Sequence, residues 1–145
     1  MQDGYCFEDL AIGMHASSGK TITEADILLF SAVSTDTNPV HLNEEIASKS
    51  RFKTRIAHGM LSAGLISAVL GTRLPGAGTI YLSQTLNFRR PVKIGDTVTA
   101  TVEVIGLDEA QKRATLRTIC TVAGKVVIEG EATVMPRARA DVADA

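Results

Sequence analysis

The segment Gly59-Met-Leu-Ser-Ala-Gly-Leu-Ile-Ser-Ala-Val-Leu70 is apolar or small all round. A helix of that composition has no polar face to turn towards water, so it must be buried on most sides. Its Ser62, Ala63, Gly64, Ser67 and Ala68 would let strands come close, and Gly71 and Pro75 can end it. The uncharged stretch is too short to cross a bilayer, which takes about 20 residues. The rest of the chain therefore has to supply walls for this helix.

Those walls are legible downstream, where the apolar period changes to two. Ile80, Leu82, Gln84, Leu86 and Phe88 share one face of a candidate strand. Val98, Ala100, Val102 and Val104 alternate with Thr97, Thr99, Thr101 and Glu103. Ala114, Leu116, Thr118, Cys120 and Val122 make a third set, and Val126, Ile128, Gly130, Ala132 and Val134 a fourth. Gly95-Asp96 and Ala123-Gly124-Lys125 supply turns, and the spacing of the last strands predicts an antiparallel meander. A stretch near Met14–Ile22 can add a fifth strand. A curved antiparallel sheet wrapped around one central helix lets the helix bury its whole circumference and the sheet one face. The reading is an α+β fold in one domain over residues 1–135, followed by a disordered tail over 136–145. Uncovered sheet edges point to a dimer.

Ahead of the central helix the pattern is helical. Within Thr21-Ile-Thr-Glu-Ala-Asp26, Thr23 offers a hydroxyl cap with acidic residues in the first turn. Ile27, Phe30 and Val33 follow at helical spacing, and the helix should stop near Ser34. A second, short helix is expected over Asn43–Ser48.

Charge and cysteine usage exclude several function classes. The net charge is −1, from 15 basic and 16 acidic residues, which gives no sign of a nucleic-acid or membrane-surface binder. Cys6 and Cys120 are far apart with no CxxC spacing, so neither a disulfide framework nor a zinc site is expected and a reducing compartment fits. The first ten residues, MQDGYCFEDL, lack a basic region followed by an apolar one, which points to the cytoplasm.

Between the helical segments lies Asp36-Thr-Asn-Pro-Val-His41, with His58-Gly59-Met60 seventeen residues beyond His41. Pro39 fixes its own φ and pushes Asn38 out of the α region, so this turn can hold Asp36 and His41 in a set relation. A carboxylate beside an imidazole suits chemistry in which a water is both gripped and deprotonated near neutral pH. Alone, Asp36 could be a turn residue and His41 a structural histidine. Glycine at 59 lets a backbone come close to a ligand, and the first N–H groups of a helix lack internal partners.

Ser34-Thr-Asp36-Thr-Asn38-Pro39-Val-His41, Ala57-His58-Gly59-Met60, Gly78-Thr-Ile80-Tyr81 and Pro91-Val-Lys-Ile-Gly95-Asp96 resemble the MaoC-like hydratases, most closely the small (R)-specific enoyl-CoA hydratase type, from about Phe7 to Met135. The resemblance implies a hot-dog fold with the central helix as its sausage, and a homodimer with active sites near the subunit interface. It implies reversible syn hydration of a trans-2-enoyl-CoA to an (R)-3-hydroxyacyl-CoA, with no cofactor and no metal. Asp36 and His41 match the family's catalytic pair, and Gly59 matches the residue whose N–H binds the thioester oxygen. Ser67 and Leu70 match positions lining the acyl pocket, with core packing the alternative for both; in the pocket a bulky Leu70 would favour acyl chains of about four to six carbons.

Asn38 orders the turn and could touch substrate. Gln84, the lone polar member of an apolar strand face, needs a partner at the helix end or in the pocket. Arg89 and Arg90 could meet CoA phosphates or form a solvated strand end. His58 reads as a packing or hydrogen-bonding residue rather than a second base, and His15 carries no assigned role. A hot-dog thioesterase and a non-catalytic acyl-CoA-binding module are the competing readings. The pathway served stays open among polyester-precursor supply, fatty-acid oxidation and fatty-acid synthesis.

Overall fold

The computed structural model describes residues 3–142. A short 3-10 turn, Phe7–Asp9, leads into β1 (His15–Thr21). Three helices follow, α1 (Glu24–Ser34), α2 (Pro39–Leu42) and α3 (Glu44–Ala47), and then the long α4 (Gly59–Thr72). Strands β2 (Ile80–Gln84), β3 (Asn87–Phe88), β4 (Thr97–Asp108), β5 (Arg113–Val122) and β6 (Lys125–Met135) complete the sheet, and α5 (Arg139–Val142) ends the described chain. The sheet is antiparallel in the order β1-β4-β5-β6-β2, with β3 also pairing with β6.

Alternation decides which faces are buried. Val98, Ala100, Val102 and Val104 of β4 and Ala114, Leu116, Thr118 and Cys120 of β5 are fully buried. All but Thr118 pack with Ile66, Val69 and Leu70 of α4 in one core. Thr23 caps α1 by accepting the Asp26 N–H, while the Asp26 side chain accepts the Thr23 N–H at 2.9 Å. These reciprocal bonds satisfy donors the first helical turn leaves free.

Four expectations change. Helix α4 is buried on one side only: Ser62, Ala63, Ile66, Val69 and Leu70 face the sheet, while Met60, Gly64, Ser67 and Ala68 are exposed. One sheet can cover one side of a helix, and no second layer among the described residues reaches the other. The apolar run Ile80–Phe88 is not one strand, because a register shift between Tyr81 and Ser83 breaks the alternation and leaves Ile80, Leu82 and Phe88 exposed. On α1 the buried stripe is Ile27 and Ser31, and Val33 is 84% exposed. Finally, residues 136–142 do not form a disordered tail: Arg137 bridges to Cys6 and donates to the Gly4 carbonyl, and Arg139–Val142 forms a helical turn. Residues 143–145 lie outside the described chain.

Leu70 is 1% exposed within the core. Leu70→Ala is expected to destabilise the fold by about 2–5 kcal/mol through lost burial and the cavity left behind. A urea melt reads this as a lower midpoint at unchanged slope. An unchanged midpoint would show that the site collapses without cost.

Candidate active site

The chain leaves α1 through Thr35, which sits in the left-handed region at φ 65°. A β-branched residue there is strained, and such strain persists only where neighbours hold it. The neighbours are specific. The Asp36 N–H donates to Ser34 Oγ at 3.1 Å, and the Ser34 hydroxyl donates to the Phe30 carbonyl at 2.6 Å. Asp36 Oδ1 accepts the Asn38 N–H at 3.2 Å, and Asn38 Oδ1 accepts the Val40 N–H at 3.1 Å. Asn38 thus caps α2, with Pro39 in the first turn where its missing N–H costs nothing.

One turn later comes His41, which is buried. Its Nδ1–H donates to the Ile56 carbonyl at 2.8 Å, so Nε2 keeps its lone pair. Desolvation by burial holds the His41 pKa below the usual 6.5, and the nearby His58 adds to this, against the Ile56 bond and Asp36, which act the other way. One oxygen or nitrogen from each of Asp36, His41 and His58 lies within 4.8 Å of the others.

Gly59 opens α4, where backbone N–H groups have no partner inside the helix. The Phe88 ring lies against it: a Cβ on Gly59 would meet Phe88 Cε1 at 2.5 Å. Asp36, His41, His58 and Gly59 all line one cavity of about 490 Å³, walled by Phe88, Val92 and Ile128. Arg51, Arg89 and Arg90 line it as well. Arg89 pairs with Glu129 at 2.7 Å, Arg90 donates to the Val126 carbonyl at 2.8 Å, and the Arg51 guanidinium sits 5.9 Å over the Phe52 ring. The cavity therefore joins a carboxylate, an imidazole acceptor and a free helix N-terminus under a cationic wall.

The other residues singled out in the sequence lie elsewhere. Ser67 and Gln84 line a second cavity of about 460 Å³ with Tyr81, Leu82 and Leu86, and Met60 borders both cavities. Gln84 finds its partners within the sheet, donating to Thr118 Oγ1 and the Thr85 carbonyl, each at 2.8 Å, while the Tyr81 hydroxyl donates to Gln84 Oε1. Asn38 and Leu70 line neither cavity. Leu70 points into the core instead, because the buried side of α4 is the side that faces the sheet. Arg51, Phe88, Ile128 and Ser62 line the first cavity, though the sequence singled none of them out as a site residue. No local pattern marks them, since each reaches the cavity from a different segment.

Known proteins resemble this chain over most of its length. The MaoC like domain model matches residues 10–131. An (R)-specific enoyl-CoA hydratase of Rhodospirillum rubrum is 67% identical over 133 residues, 92% of this chain and 92% of that protein. One from Aeromonas caviae is 45% identical over 128 residues, covering 88% of this chain and 96% of its own. Among solved structures, the unliganded R-hydratase PhaJ1 from Pseudomonas aeruginosa superimposes with a TM-score of 0.89 at 46% identity, over 94% of this chain and 88% of that one. The curved antiparallel sheet against one long helix is the hot-dog fold. With most of its length matched by the family model and by a relative of high identity, the chain belongs to the MaoC-like domain family.

Proposed function

We propose that the chain is an (R)-specific enoyl-CoA hydratase, a hydro-lyase adding water reversibly to a trans-2-enoyl-CoA. One observation carries this reading: the Asp36 carboxylate and the His41 ring share a cavity with the unpartnered N-terminus of α4 at Gly59. In the forward direction Asp36 takes a proton from a water that His41 Nε2 orients, as the water oxygen bonds to C3. Charge develops on the thioester oxygen, where the Gly59 N–H donates, and this is where a fixed donor contributes most. The pair returns a proton to C2 on the same face, so H and OH add syn. This route uses no metal and no redox cofactor. Arg51 and Arg90 offer cations to the phosphates of the CoA carrier.

Crotonyl-CoA tests the reading against its competitors. Hydration removes the conjugated enoyl absorbance and gives (R)-3-hydroxybutyryl-CoA. Release of free thiol would instead mean a thioesterase, and binding without turnover an acyl-CoA-binding module. Predominantly (S) product would refute the stereochemical assignment.

The lowered His41 pKa sets a pH dependence. The neutral ring is the working form, so the acid limb of kcat/KM should fall below pH 6.5. The same shift acts on stability. The unfolded chain binds more protons between the folded pKa and 6.5, so stability declines as pH drops through that window and levels off beneath it. An acid limb at or above 6.5 would contradict the burial argument.

A homodimer accompanies this reading. Edge strand β2 leaves Ile80, Tyr81 and Leu82 exposed beside Met60, an apolar strip that a second copy would cover. Light scattering should give twice the chain mass. No helix among the described residues is long and apolar enough to cross a membrane. The two free cysteines, both buried, fit a reducing cytoplasm.

A further inference from the structure

His58 is 2% exposed, yet it lines the active-site cavity beside Asp36, His41 and Gly59 rather than joining the apolar core. Its Nε2 lies 2.9 Å from the Asp36 carbonyl oxygen, which can only accept, so Nε2 carries the proton and donates. Ser31 Oγ on α1 lies 3.2 Å from the same nitrogen. The His58 ring stacks on the His41 ring with centroids 3.8 Å apart and planes 28° apart, and the Phe30 ring lies 4.7 Å from it, tilted by 54°. Nδ1 is buried with no partner among the described residues. A proton placed there would be an unpaired buried donor, so the favoured tautomer has Nε2 protonated and Nδ1 bare.

We propose that His58 is a positioning residue for both members of the catalytic pair. Through Nε2–H it holds the Asp36 backbone, and through its ring face it fixes the plane of His41. Asp36 follows a strained Thr35 and its side chain is exposed, so its own N–H and carboxylate bonds lie within the turn. The bond from His58 ties that turn to the start of α4, which also carries Gly59. Base, water-orienting ring and oxyanion donor are thereby set against one another by a single imidazole. A displacement of about 1 Å at such a site costs on the order of 10²-fold in rate.

The inference rests on the hydratase reading, and its test separates the two. Ring 15N NMR of the wild-type protein at pH 7.5 should show His58 with Nε2 protonated and Nδ1 bare, whatever the enzyme turns over. The reverse tautomer would overturn the proposal. Kinetics with crotonyl-CoA then compare His58→Gln, whose amide can still reach the Asp36 carbonyl, with the shorter His58→Asn, which cannot. His58→Asn should lose about 10²-fold in kcat with KM within about threefold, and His58→Gln should recover at least tenfold of that loss. Equal rates for the two variants, or a loss confined to KM, would reduce His58 to packing. Ser31→Ala leaves the Asp36 bond intact and should stay within about threefold of wild type. A wild-type protein that hydrates no enoyl-CoA would sink the hydratase reading, while the NMR result would still stand for or against the clamp.

Discussion

Asp36→Asn and His41→Ala are each expected to lower kcat for crotonyl-CoA hydration by about 10²–10⁴-fold, the usual contribution of a positioned acid or base. Folding should survive both changes. Asp36 is exposed and its Oδ1 bond to the Asn38 N–H can be kept by an asparagine oxygen. His41→Ala gives up the bond to Ile56 and the stack on His58, so a modest fall in melting temperature accompanies the kinetic loss. The double variant should be little worse than the poorer single one, because groups acting as a unit lose their joint contribution once. Near-wild-type turnover by either single variant would remove that residue from the mechanism.

At Gly59, the expected loss is about 10²–10³-fold in kcat when the N–H itself is deleted, the range for a single oxyanion donor. Gly59→Pro achieves that deletion. Proline is tolerated at the first helical position, and the preceding His58 already has the extended ψ of 134° that a following proline requires. Bulk is the confounding effect, because any side chain here collides with the Phe88 ring. A Phe88→Ala background makes room, and in it Gly59→Ala adds bulk while keeping the donor. The ratio of kcat between the alanine and proline variants then isolates the N–H. A ratio near one would show that the thioester oxygen is held by something else.

Several features of this protein were determined by sequence alone because they are local. Alternation in Val98–Val104 and Ala114–Cys120 follows from the pleat, which sends successive side chains to opposite faces. The Thr23 cap follows from the orphan donors of a first helical turn, and the pairing of Asp36 with His41 from five residues of chain stiffened at Pro39. Tertiary structure alone decided what stood next to these elements. Periodicity says which residues an element can bury, not whether a neighbour is present to bury them. Val33 on α1 and the Gly64–Ser67 side of α4 are exposed for that reason. Leu70 went to the core because the sheet, rather than an acyl cavity, lies on its side of the helix. The candidate active-site cavity is the most non-local feature of all. Asp36, Arg51, Gly59, Phe88 and Ile128 meet there from five separate segments, and the contact of His58 with both Asp36 and His41 exists only once α4 has docked against the turn that follows α1.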